Sequence, residues 1–508
     1  MSESRVKNSA KNLFYSYIGQ IINILLKFAL RSYFIRVLTT EYLGLNGLFG
    51  NILSFLSLAE LGIGGAITYN LYVEIANQNT ERIKQLMRLY KTAYVIIGCF
   101  VLLAGSSLIP FLDFFIEGKY EIPNIRLIYF LFVLNSGSSY FFSYKANFII
   151  ANQKNYIVTN INLVSNIVIA ILQTLSLFLF NSYIAYLIVQ VIITFGANVV
   201  MAFIADKRYP ILKEKVTGKL DENSKHIITQ NVSAAVFHKV GGIIVFSTDN
   251  ILLSKLFGLI QVGLYSNYTL ITKTLQALIN QFFVSITASV GNLCAAEGNE
   301  KKVSIFYITE YINFLIFSFS SICIYELLEK FITLWLGKEY LMNNSILCLL
   351  ALNFYLEGMR STLWTFNGSM GLARYYKYMP IPEVIINLGS SIILGRLFGP
   401  VGIFIGTTLS TVFTCWWIEP KVLFKYGLDS SLKKYYYVYF KYFFITILNF
   451  IIVHFTNKYI TFEQPVITFV VHIIICGFMQ LLLLVLLTFK SEEFKYLMNL
   501  LFKKKQVK

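Results

Sequence analysis

Apolar residues along this chain gather into long runs rather than scattered patches. A helix needs about 20 mostly apolar residues to cross the hydrocarbon core of a bilayer. Runs of that kind recur from end to end and predict about fourteen membrane-spanning helices. They fall at 13–36, 43–67, 92–110, 126–150, 157–180, 183–205, 232–257, 262–290, 305–328, 344–366, 379–397, 400–424, 437–457 and 467–489. Pro110, Pro123, Pro210, Pro400 and Pro465 stand at or near the ends of these runs, as helix breakers should. Pro380 and Pro382 occupy the first turn of the eleventh, where proline is tolerated. The longest polar stretch, Asp206–His226, is too short for a soluble domain.

Charge at the ends of the runs sets their direction. With the N-terminus inside, the inner loops and tail hold about 29 lysines and arginines and the outer ones about seven, as the positive-inside rule requires. Dropping one helix would scramble that alternation. The sequence therefore predicts a multi-pass protein with both termini cytoplasmic.

Composition agrees. Hydrophobic residues make up 56% of the 508 and charged residues 14%, with a mean hydropathy of +0.64. A soluble globule carries roughly 25% charged residues. The net charge of +17 would invite a nucleic-acid partner, but the basic residues lie in short loops and build no basic domain. The six cysteines are scattered through or beside apolar segments, with no CxxC and no Cys/His cluster. The polar, basic stretch Met1–Asn12 is followed by no small-residue cleavage site, so no removable signal peptide is expected.

A short internal repeat hints at organisation. Arg36-Val37-Leu38 precedes Gly44-Leu45 at the same spacing at which Lys255-Leu256-Phe257 precedes Gly263-Leu264. Two parallel halves follow: helices one to six in 1–205 and seven to twelve in 232–424. The loop 206–231 separates them, and 425–508 adds the last two helices and a basic tail. Parallel repeats mark many transporters.

Ionisable groups inside a membrane are costly and normally face a bundle interior or a wet cavity. Ser16, Gln20, Asn23, Lys27 and Arg31 recur at helical spacing and make one polar stripe. Lys239 and Asp249 lie in the seventh segment, Lys273 in the eighth, and Glu357 with Arg360 in the tenth. Glu357 and Arg360 are three apart and able to pair. Lys27, Arg31, Lys239, Lys273 and Arg360 are the candidate substrate-binding cations. Glu60, Asp249 and Glu357 are the candidates for a coupling proton or sodium ion. Asn162, Asn166, Gln173, Asn387 and Ser390 read as bonds between helices. The deep charges are mainly basic, which suits an anion, with phosphate the natural choice.

Nothing points to catalysis. No Gly-rich phosphate loop ending in Lys-Ser/Thr exists. His226, His238, His454 and His472 have no metal-ligand spacing, and no cofactor or metal is expected.

Three stretches resemble a known family. The first is Arg36–Gly64, with Tyr42-Leu43-Gly44-Leu45-Asn46-Gly47 and Leu58-Ala59-Glu60-Leu61-Gly62. The second is Ser247–Tyr268, continuing at Ser285–Asn292. The third is Phe331-Ile332-Thr333-Leu334-Trp335-Leu336-Gly337, with Asn353-Phe354-Tyr355 and Gly358-Met359-Arg360. Together they resemble the bacterial polysaccharide-repeat (Wzx-like) flippases of the multidrug/oligosaccharidyl-lipid/polysaccharide (MOP) exporter superfamily. The resemblance implies an all-α, MATE-like fold: two pseudo-symmetric six-helix lobes around a central cavity, plus two C-terminal helices. It implies alternating access in the bacterial cytoplasmic membrane. The implied substrate is an oligosaccharide on undecaprenyl diphosphate, for capsule, O-antigen or exopolysaccharide. The implied partners are membrane lipids, a polymerase and other polysaccharide assembly enzymes. Competing readings are a MATE-like drug or metabolite exporter and a membrane polymerase or glycosyltransferase. The first would want a more acidic cavity, and the second a long outer loop or an acidic cluster.

Overall fold

The computed structural model describes residues 5–60, 63–117, 122–214, 216, 241–244 and 247–503. They are helical, with no strand among them. Eight helices come first: α1 (Arg5–Val37), α2 (Thr40–Leu56), α3 (Ile63–Ala76), α4 (Thr80–Ser107), α5 (Ile125–Ala151), α6 (Asn155–Phe180), α7 (Tyr183–Arg208) and the described part of α8 (247–257). Then follow α9 (Leu259–Ala296), α10 (Asn299–Trp335), α11 (Asn344–Gly358), α12 (Ser361–Ser369), α13 (Pro380–Phe398), α14 (Pro400–Ser410), α15 (Trp416–Val422), α16 (Leu432–Tyr459), α17 (Pro465–Thr488) and α18 (Glu492–Lys503). Pro380, Pro400 and Pro465 open their helices, where a missing N–H costs no hydrogen bond.

Among the described residues, twelve candidate spans are long and apolar enough to cross a membrane. The other two segments read from the sequence, 43–67 and 232–257, do not meet that test among the described residues. The first is broken by a 3-10 turn at Ser57–Glu60 between α2 and α3. There the Ser57 hydroxyl donates to the Ser54 carbonyl at 2.7 Å, a local bond that competes with the helical ladder. The second lies partly outside the described residues. Several helices also run past their apolar runs: α4 starts at Thr80, where hydropathy alone placed the start at 92. Asn79 caps it, accepting from the Arg82 N–H.

The chain forms two compact units, Met1–Gly263 and Leu264–Lys508. The first is built on α1 to α8. Its core joins Phe34, Leu45, Leu48, Phe49, Tyr129, Val133 and Leu177, all nearly solvent-free. Polar bonds tie its helices: the Asn166 amide donates to Asn23 at 3.0 Å, and the Gln173 amide to the Tyr186 carbonyl at 3.2 Å. The repeated Gly-Leu pairs have a structural meaning here. A Cβ on Gly44 would run into the Leu259 carbonyl, and a Cβ on Gly263 into the Thr40 carbonyl. Thr40 precedes Gly44 by one helical turn, and Leu259 precedes Gly263 by one turn. The two copies of the repeat thus pack reciprocally, backbone against backbone.

The second unit is rich in packed aromatic rings. Phe306 contacts Phe366, Phe424 and Tyr435, and Phe314 stacks on Tyr442 with ring centres 4.3 Å apart. Asn387 donates to the Thr407 hydroxyl at 3.2 Å, joining α13 to α14.

Candidate functional site

The best-defined charge constellation grows out of an interruption in the second unit. The span Asn344–Ser369 is two helices, α11 and α12, separated at Met359 and Arg360. Gly358 must be glycine because the Phe317 ring of α10 occupies the place of a side chain. The interruption brings Arg360 to Glu419 of α15. Its Nε donates to Oε2 at 3.0 Å and its Nη2 to Oε1 at 2.6 Å, a two-pronged pair. Trp364 Nε1 donates to the same carboxylate at 3.0 Å. The guanidinium also lies 4.8 Å from the Trp364 ring centre and 4.0 Å from Glu383 of α13. Arg360, Glu383 and Glu419 are all buried.

The helix carrying Glu419 is irregular for a local reason. Pro420 has no N–H, so the Trp416 carbonyl one turn earlier loses its ordinary partner. The Tyr436 hydroxyl of α16 donates to it at 3.1 Å. Wider, π-helical turns flank the proline at Thr411–Cys415 and Leu423–Gly427. The Asn367 amide reaches the Glu419 carbonyl at 3.4 Å.

Spacing offered Glu357 as the partner of Arg360; the structure pairs Arg360 with Glu419, 59 residues away. Glu357 is half-buried and lies within electrostatic reach of Arg360, Glu383 and Lys273. Lys273 on α9 is exposed. Asn353, one turn before Glu357, accepts from Thr408 at 2.7 Å and donates to the Phe404 carbonyl at 3.2 Å, fastening α11 to α14.

In the first unit the α1 stripe divides. Asn23 meets α6, Lys27 is exposed, and Arg31 is half-buried beside Tyr183 and Tyr186 of α7. Those rings pack with Phe34 and Tyr42 into an aromatic wall. Glu60 accepts a short bond, 2.5 Å, from Tyr94 of α4. Asp249 is buried beside Asn250 on α8. Lys239 and His238 lie outside the described residues.

Sequence reasoning missed Glu419, Glu383 and Trp364. Glu419 carried the signal that singled out Glu357, a carboxylate inside an apolar run. It also precedes a proline within that run, which marks an irregular helix.

The comparisons fit this architecture. A family model described as polysaccharide biosynthesis protein matches residues 9–290. The chain belongs to that family. No curated protein matches it. Among solved structures, the lipid II flippase MurJ in an inward closed conformation superposes with a TM-score of 0.67. Sequence identity is 15%, over 94% of this chain and 98% of MurJ. An inward-facing multidrug resistance MATE transporter of the MOP superfamily gives 0.61 at 15% identity, over 81% of this chain and 96% of that one. The Vibrio cholerae MATE transporter VcmN gives 0.59 at 13% identity, over 84% and 99%. Identities this low establish the fold. The family member described here is an all-helical, multi-pass membrane protein with the MurJ/MATE architecture.

Proposed function

We propose that this protein is a flippase. It carries an undecaprenyl-diphosphate-linked oligosaccharide repeat from the inner to the outer leaflet of the bacterial cytoplasmic membrane, for surface polysaccharide. The observation that carries this reading is the joining of polysaccharide-family membership with exposed cations on membrane-crossing helices, Lys27 on α1 and Lys273 on α9. A lysine in hydrocarbon is expensive. It is sustained where it meets water or an anion, and a diphosphate is the anion of this substrate class.

In the first unit Lys27, with Arg31 in its tyrosine wall, and in the second unit Lys273 would each offer a cation in place of water to a diphosphate. Arg360 would contribute only by exchanging partners, because Glu419 holds its Nε and Nη2 and its Nη1 faces Glu383. Lys239 completes the proposed basic set. The sugars would occupy polar surface while the polyprenyl tail stays in lipid. Alternating access performs the movement, with no covalent chemistry. Glu60, Asp249 and Glu357 remain proposals for binding a coupling proton or sodium ion. Polymerase and other assembly enzymes would receive the product, and both termini would face the cytoplasm. The MATE likeness favours a drug exporter as the second reading. A small cationic drug, however, would gain nothing from exposed lysines.

Cells lacking the protein test this directly. They should accumulate the lipid-linked repeat on the inner leaflet, with the surface polymer lost. Normal outer-leaflet delivery in such cells, with a drug sensitivity instead, would favour the exporter.

A further inference from the structure

The ion pairs above leave one carboxyl group of the second unit unexplained. Glu310 sits about a third of the way along α10, with 0% of its surface exposed. Neither of its oxygens has a hydrogen-bond partner, and no cationic side chain among the described residues stands within ion-pair distance of it. Asn313 Oδ1, one turn along the same face, and Thr362 Oγ1, in the first turn of α12, also lack partners. Both side chains lie close to the Glu310 carboxyl. The Asn313 amide donates to the Met359 carbonyl at 3.1 Å, so this polar nest is tied to the interruption that also carries Arg360.

The side chains tied most directly to Glu310 are neutral. Tyr307 comes from α10 itself, Tyr355 from α11, Thr362 from α12, and Tyr435, Tyr439 and Tyr442 from α16. Thr488 of α17 bonds to Tyr311. Charges stand one layer out. Lys434 lies over the Tyr307 ring at 4.8 Å, Glu493 of α18 is felt by Tyr307 and Tyr442, and Arg360 is held by Glu419. An ionised carboxylate in such surroundings is severely penalised, and a buried group so placed neutralises instead.

We propose that Glu310 holds a proton in this conformation and is a proton site of the transport cycle. It is distinct from Glu60, Asp249 and Glu357, and as a coupling site it rests on the flippase reading. When the helices rearrange at Met359–Arg360, the Asn313 tether shifts and water gains access. The carboxyl O–H bond then breaks, its proton passes to that water, and the carboxylate is left in a polar setting. Return to the present packing requires a proton from solution.

Infrared spectroscopy of the purified full-length protein reads the protonation state. The wild type at neutral pH should show the carbonyl stretch of a protonated carboxylic acid. E310Q should lose that band and E357Q should keep it. A band unchanged in E310Q overturns the proposal. In proteoliposomes carrying a lipid-diphosphate oligosaccharide, an imposed proton gradient should change wild-type translocation several-fold. E310Q should still translocate down a substrate gradient but ignore the proton gradient. A gradient response in E310Q equal to wild type also overturns it. Should E310Q not fold, E310D keeps the carboxyl, so its band must shift rather than stay put; an unmoved band counts against Glu310. Wild-type vesicles that translocate nothing would sink the flippase reading alone, because the infrared result stands without transport.

Discussion

Lys27 and Arg360 are both cations inside apolar runs, and a sequence reader gives them the same role. Their surroundings differ completely. Lys27 is an exposed residue on α1. Arg360 is 9% exposed, with two hydrogen bonds to Glu419, an indole ring against its face and Glu383 nearby. The difference lies in what each removal leaves behind. Losing Lys27 leaves nothing stranded among its described contacts, whereas losing Arg360 leaves a buried carboxylate without its counter-ion. A buried pair is costly to break from one side and often harmless to replace whole. Arg360 therefore reads first as a fastener that holds an interrupted helix to a proline-distorted one. Lys27 is the better placed of the two to meet a substrate.

The largest expected effect tests the fastener. R360A should destabilise the purified protein by about 3–5 kcal/mol, the range for stranding a buried charge. Thermal unfolding in detergent would measure it. R360K should recover little, because an ammonium cannot make the two-pronged contact. The double variant R360M/E419M should recover most of the loss. If it stays as unstable as R360A, the pair is not what holds the two helices.

A packing lesion in the first unit gives a scale free of charge effects. G44A drives a methyl into the Leu259 carbonyl and should cost about 2 kcal/mol. G263A should match it, since the contact is reciprocal. Unequal losses would show that the repeat is not symmetric in packing.

Y94F comes next. It removes the hydroxyl that donates to Glu60 and should cost about 1 kcal/mol, as for a typical intramolecular hydrogen bond. A stability loss no larger than that of an ordinary surface change would mean that Glu60 finds another donor.

K27Q should show the smallest loss of stability, within about 0.5 kcal/mol of wild type. A K27Q protein as unstable as R360A would erase the contrast between the two cations.

The helices were readable because hydrocarbon permits few alternatives. Apolar runs of sufficient length must be helical, and Pro380, Pro400 and Pro465 fix where three of them begin. The interruption at Ser57–Glu60 was not readable, because Ser57 turns inward on a bond that any apolar window averages away. The extra turns of α4 are polar, so hydropathy passed over them, although Asn79 announces the start. Arg31, Lys273 and Glu357 stand out in the sequence by charge alone. The pairing of Arg360 with Glu419 does not, since pairing across 59 residues leaves no spacing to read. Glu310 was missed for a related reason: its significance is the absence of a partner, which only the packed structure displays. The weak repeat gained meaning once Gly44 and Gly263 proved to be mutual contact points.

On the proposed function, this protein moves a lipid-linked anion by means of exposed membrane lysines. Purified protein in liposomes loaded with a polyprenyl-diphosphate oligosaccharide, assayed by access of an external sugar-specific probe, tests it most directly. Wild type should translocate without ATP. K27Q should fall at least tenfold, equivalent to about 1.4 kcal/mol of lost interaction, with its unfolding temperature unchanged. Translocation by K27Q at the wild-type rate would contradict the assignment of Lys27, and no translocation by folded wild type would contradict the account as a whole.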